Sequence, residues 1–247
     1  METGKPWFVP MVEDPDRPMW VLALPQAGAG CATFADLAAG LGPHVALFGM
    51  NAPGRQARLA EPPVTELDQL VERLTDWIES TVDRPYAMFG YCSGALLAFL
   101  TARRVAERGL PRPRSVIVCS YPAPQLAEPA TTLHTLPADV FWHELLRHGG
   151  FAAELVAEPE YRALFEPALR ADYQALASFR YRAAPPLDVP VVAVTGEYDR
   201  DLDPNLVAAW EAQTTGGFRL ETVPSGHWVM AEAGAEVSRI LESECDS

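Results

Sequence analysis

No apolar run in this 247-residue chain approaches the length of a membrane span, which argues against a membrane-embedded protein. The first residues, Met1-Glu2-Thr3-Gly4-Lys5-Pro6, lack the apolar region of a secretory signal, so export is not expected. Cysteine is sparse. Cys31, Cys92, Cys119 and Cys245 are spaced neither as a zinc site nor as a disulfide framework. Free thiols in a reducing cytoplasm are the expectation. Positive charge is also short: 19 Lys and Arg stand against 33 Asp and Glu, a net charge of −14. That balance argues against nucleic acid and against an anionic membrane surface as partners. Repeats and low-complexity tracts are absent. What remains is ordinary for a globular chain, with 49% hydrophobic and 21% charged residues. The length suits a single α/β domain over residues 1–247, with a full core.

Short apolar runs alternate with amphipathic stretches. Residues 19–24, 45–48, 84–88, 115–120, 189–194 and 218–223 read as strands. Leu67, Leu70, Val71, Leu74, Trp77 and Ile78 fall at helical spacing, residues 95–100 read as a buried helix, and Val237, Ile240 and Leu241 mark a closing one. Near-continuous apolar strands separated by helices predict a mostly parallel sheet covered on both faces. The alternation stops between about residues 122 and 186. There the pattern predicts helices over 137–147 and 158–181, separated by Gly149 and Gly150, with Leu169, Tyr173 and Leu176 on one face. A helical insertion between two sheet strands is expected to form a lid over a site.

The densest signal is Phe89-Gly90-Tyr91-Cys92-Ser93-Gly94-Ala95, set between a strand and a helix. Strand, Gly-x-nucleophile-x-Gly and helix together are similar to the nucleophile elbow of an α/β-hydrolase. The small residues matter because the turn is too tight for side chains beside its centre. Cys92 is central and Ser93 is one place off. In this fold the acid and the histidine follow in chain order. Asp199 lies in Gly196-Glu197-Tyr198-Asp199 after a strand, crowded by Glu197, Asp201 and Asp203. His227 lies in Ser225-Gly226-His227-Trp228 after the last strand. His44, His134, His143 and His148 are weaker candidates, on a strand edge or in the insertion. Backbone N–H groups of Ser93 and of Ala27, in the loop Pro25-Gln26-Ala27-Gly28-Ala29-Gly30, are the expected oxyanion donors. Gln26, Tyr91 and Trp228 adjoin these positions and are the candidate substrate contacts.

With those residues placed, nearly the whole chain resembles the type II thioesterases of polyketide and non-ribosomal peptide synthesis. Pro25-Gln26-Ala27-Gly28-Ala29 is similar to that family's Pro-His-Ala-Gly-Gly loop, and Pro53-Gly54-Arg55 to its Pro-Gly-Arg motif. The elbow matches Phe-Gly-His-Ser-Met-Gly except at the nucleophile and its neighbours. Leu169-Arg170-Ala171-Asp172-Tyr173 and Phe179-Arg180-Tyr181 resemble its lid. The resemblance implies hydrolysis of acyl groups stalled on the phosphopantetheine thiol of acyl or peptidyl carrier proteins. It implies no metal and no bound cofactor, the phosphopantetheine arriving with the substrate. Carrier domains of this kind are usually acidic, so docking on a −14 chain would use local patches. Arg55, Arg58, Arg103, Arg104, Arg108, Arg112 and Arg114 are the candidates.

Two departures from the family pattern matter: Gln26 stands for histidine and Cys92 for serine. A cysteine beside His227 can exist as a thiolate–imidazolium pair. Its attack exchanges one thioester for another, and the resulting acyl thioester is open to amines and carbon nucleophiles as well as water. The alternatives are therefore an acyltransferase or cyclase on the same scaffold, and a non-catalytic carrier-binding protein.

Overall fold

The computed structural model describes residues 5–12, 14–127, 132–148 and 153–246. Its centre is a seven-stranded sheet in the order β1-β3-β2-β4-β5-β6-β7. The strands are β1 (Phe8–Pro10), β2 (Met19–Leu24), β3 (Val45–Met50), β4 (Tyr86–Tyr91), β5 (Val116–Cys119), β6 (Val191–Gly196) and β7 (Phe218–Val223). All neighbours pair in parallel except β1, which runs antiparallel to β3 at the edge. The parallel α/β arrangement matches the sequence expectation. Strand β1 has no counterpart in it, because three residues ending in proline carry too little pattern to stand out.

The period of two along each strand splits the core in two. Trp20, Leu22, Leu24 and Met88 face the side covered by helices α2 (Leu67–Thr81) and α3 (Ser93–Glu107). Met19, Val21, Ala23, Ala87, Phe89 and Tyr91 face the side covered by α1 (Ala35–Ala39) and α9 (Gly234–Cys245). Strands buried on both faces need continuous apolar sequence, which is why they were legible.

Between β5 and β6 no strand occurs among the described residues. The segment holds α4 (Ala138–His148), α5 (Ala153–Ala157) and α6 (Pro159–Ser178). Gly149 and Gly150 lie outside the described residues. The insertion has its own apolar cluster of Leu133, Phe141, Trp142, Leu145, Val156 and Leu169, with Tyr173 packed against it. Leu176 packs instead on the main core, so the expected common face of α6 is divided between two clusters.

Strand order sets the place of the site. From β2 the chain moves outward to β3, then returns to the other side of β2 to form β4. The loops leaving the carboxyl ends of β2 and β4 therefore diverge, and a crevice opens between them. At the far end β6 and β7 are neighbours, and α7 (Pro204–Ala208) and α8 (Val229–Glu232) follow their loops.

Candidate active site

At the end of β4 the chain reverses into α3 through Cys92, whose φ of 52° and ψ of −126° are rare for a residue with a side chain. Such a conformation costs on the order of 1–3 kcal/mol and is kept only where neighbours enforce it. Here Cys92 N–H donates to the Cys119 carbonyl at 2.8 Å, and Ala95 N–H to the Cys92 carbonyl at 2.8 Å. A Cβ on Gly90 would overlap the backbone of Gly94 and Ala95, and one on Gly94 would overlap the Leu24 carbonyl. The two flanking glycines are thus required by contact with backbone that cannot move aside.

The loops after β6 and β7 are stitched together. Glu197 N–H donates to the Val223 carbonyl and Tyr198 N–H to the Ser225 carbonyl, each at 2.9 Å. Gly226 N–H donates to Glu232 Oε2 at 2.7 Å, fixing the turn that carries His227. His227 Nδ1 lies 2.8 Å from Asp199 Oδ2. The Asp199 side chain is 1% exposed, and its Oδ1 accepts from the backbone N–H of Asp201 and Leu202. With Asp199 accepting at Nδ1, the ring proton is held there and Nε2 is left for the other side of the ring. Of the neighbouring carboxylates, Asp203 caps α7 through Asn205 N–H, Glu197 bonds Tyr198, and Asp201 is exposed.

Hydrogen bonding by the Cys92 side chain is the largest cause of a raised His227 imidazole pKa, pushed up from its usual range to about 9. Burial opposes it; the charge of Cys92 and the bond and charge of Asp199 add to it. A raised pKa keeps the ring protonated at neutral pH and releases the proton only as pH climbs through about 9. Titrating His227 by NMR is expected to give that midpoint, and Cys92→Ala to return it towards the ordinary imidazole range. An unchanged midpoint in the variant would assign the shift to Asp199. His44 lies beside Asp246 and away from this cluster, while His134 and His143 belong to the insertion.

Cys119 and Cys245 are buried, and the half-buried Cys31 donates to Gln56 Oε1. Burial raises the pKa of Cys31, and pushes Cys119 and Cys245 up to about 12.

Ala27 and Ser93 both line one small cavity at the β2–β4 crevice, together with Gln26, Arg55, Leu97 and Asp172. Neither the Ala27 nor the Ser93 N–H donates to another protein group among the described residues. Ser93 is the first residue of α3, where unpaired N–H groups favour negative charge. Gln26 Oε1 and Arg55 Nε are buried without a protein partner. Trp228 stands edge-on to the His227 ring, with centroids 5.4 Å apart.

Tyr91 departs from expectation. It is 1% exposed, on the same sheet face as Phe89, and its hydroxyl donates to the His227 carbonyl at 3.3 Å. Its ring is buried in the core on the α1/α9 side, and its hydroxyl supports the turn that carries His227. The arginine candidates for docking also change. Arg55 and Arg58 are buried against Asp172 and Glu61, Arg104 and Arg108 pair with carboxylates of α2, and Arg112 pairs with Asp188. Two tyrosines feel the charge of Cys92, a relation with no signal in the sequence. Tyr121, after the strained Ser120 (φ 52°), and Tyr173 of α6 are both raised by burial first and the charge of Cys92 second, Tyr173 to about 12.

Among the described residues no cluster of three or more His, Cys, Asp or Glu could hold a metal ion. No described helix is long and apolar enough to cross a membrane.

Residues 20–245 match the family model described as a thioesterase domain. The chain is 32% identical to the thioesterase PikA5 of Streptomyces venezuelae, over 90% of this chain and 79% of that protein. It superposes on the type II thioesterase BorB from the borrelidin biosynthetic cluster with a TM-score of 0.87 and 31% identity, covering 97% of each chain. The type II thioesterase YbtT from the Yersiniabactin NRPS/PKS biosynthetic pathway aligns with a TM-score of 0.84 and 27% identity, over 95% of this chain and 96% of that one.

Proposed function

Since this chain belongs to the thioesterase family and is a hydrolase of thioesters, related to type II enzymes of polyketide and non-ribosomal peptide pathways, we propose that it clears acyl groups from carrier proteins through an acyl-Cys92 intermediate. The observation that carries the reading is the Asp199–His227 hydrogen bond together with the influence of Cys92, at the start of α3, on the His227 ring. The partner is an acyl or peptidyl carrier protein, the phosphopantetheine belongs to the substrate, and the setting is a reducing cytoplasm.

The Cys92 sulfur attacks the thioester carbonyl, and the N–H groups of Ala27 and Ser93 take the charge that develops on oxygen. Collapse breaks the bond to the phosphopantetheine sulfur, which leaves as a thiol with the His227 proton. Once Cys92 is acylated, the main cause of the raised His227 pKa is gone. The neutral ring then accepts a proton from water, and the hydroxide oxygen attacks the acyl-Cys carbonyl. The second collapse releases the carboxylic acid and restores the Cys92–His227 pair. The helical insertion acts as the lid and carries Tyr173, which feels the charge of Cys92.

The same intermediate serves a second reading. An acyl thioester on Cys92 can pass to an amine, hydroxyl or carbon acceptor. Incubation of an acyl-loaded carrier with enzyme separates the two. Steady release of free acid without any acceptor is expected. Accumulation of acyl-enzyme until an acceptor is added would replace hydrolysis with transfer.

A further inference from the structure

We propose that Arg55 and Asp172 form a positioning pair that fixes the oxyanion-binding loop by tying it to helix α6. The inference rests on the reading of Ala27 and Ser93 as oxyanion donors. Arg55 holds Asp172 with two bonds, Nη1 to Oδ2 at 2.7 Å and Nη2 to Oδ1 at 2.8 Å. Both partners also grip the loop after β2. Arg55 Nη1 donates to the Ala29 carbonyl at 3.0 Å, and Asp172 Oδ2 accepts from Gly28 N–H at 2.7 Å. The loop is a turn closed by Ala29 N–H on the Gln26 carbonyl, with Gly28 at φ +77°. That φ is the one required at the third residue of a type II turn.

The turn cannot drift toward α6, because Gly28 already touches Leu169 closely enough that a Cβ would overlap its side chain. It cannot drift away without breaking two charge-assisted bonds. Ala27 sits between these restraints, and its N–H is the one the mechanism needs. Arg55 is 5% exposed, so the pair is not a solvated surface contact. Lifting α6 would withdraw the acceptor from Gly28, so the loop shape depends on the insertion being docked.

The pair acts on the oxyanion and not on the sulfur, and this separates its role from general stability. Alkylation of Cys92 by iodoacetamide needs the Cys92–His227 couple but develops no oxyanion. Hydrolysis of a short acyl-N-acetylcysteamine thioester needs both. In Asp172→Ala, alkylation is expected to stay within about threefold of wild type, while kcat/KM for the thioester falls by roughly 10²-fold, the scale of losing one oxyanion donor. If the unpaired Arg55 prevents Asp172→Ala from folding, the double variant Arg55→Met/Asp172→Leu removes both buried charges together and carries the same expectation. Hydrolysis within about threefold of wild type, or alkylation falling in parallel with hydrolysis, would overturn the proposal. A wild-type enzyme without thioesterase activity would overturn the functional reading itself, and is seen before any variant is made.

Discussion

Cys92→Ala is expected to reduce acyl-thioester hydrolysis by at least about 10⁴-fold while leaving the fold intact, the scale at which losing a covalent nucleophile is felt. The reason is geometric. Cys92 occupies the strained apex between β4 and α3, and its side chain is the largest influence on the His227 ring. Ser93 cannot stand in, because it begins α3 and faces the cavity under the Gly28 loop. Melting temperature should change little, since alanine fills the same apex. Cys92→Ser is expected to behave differently and to retain measurable hydrolysis. A neutral hydroxyl supplies no charge to His227, so the limb of the pH–rate profile that reports imidazole protonation should move down from about 9. Complete loss in a folded serine variant would point to thiol-specific chemistry and favour acyl transfer.

His227→Ala is expected to cost roughly 10³-fold or more in hydrolysis, the size of a general acid–base contribution. It should also slow iodoacetamide labelling of Cys92 until that thiol no longer stands out from Cys31, Cys119 and Cys245. Wild type should label at Cys92 first, because the other three are held protonated by burial. Asp199→Asn is expected to cost less than His227→Ala. Cys92, not Asp199, is the larger cause of the raised imidazole pKa, so a neutral partner at Nδ1 loosens orientation more than charge. Labelling of Cys92 that ignores His227 would favour a non-catalytic carrier-binding protein.

Much of this was legible in the chain because tight geometry leaves a compositional mark. Gly90 and Gly94 are needed where backbone meets backbone, and continuous apolar runs are needed where both sheet faces are covered. The order of Cys92, Asp199 and His227 followed from the elbow once its centre was found. What escaped were relations between distant segments. Arg55 and Asp172 lie 117 positions apart, and nothing local marks either as half of a pair. Arg55 looked like a surface charge because an isolated arginine usually is one. Tyr91 looked like a site residue because it adjoins Cys92, yet its ring is buried in the core on the α1/α9 side and its hydroxyl donates to the His227 carbonyl. Tyr121 became visible only when β5 was placed beside β4.

The most direct test is a mass spectrum of the enzyme quenched within one turnover of mixing with an acyl-loaded carrier protein. The mechanism predicts the acyl mass on the peptide that contains Cys92, its decay into free acid, and its absence in Cys92→Ala. Acid released at the wild-type rate with no adduct in any quenched sample, or an adduct on a different residue, would contradict it.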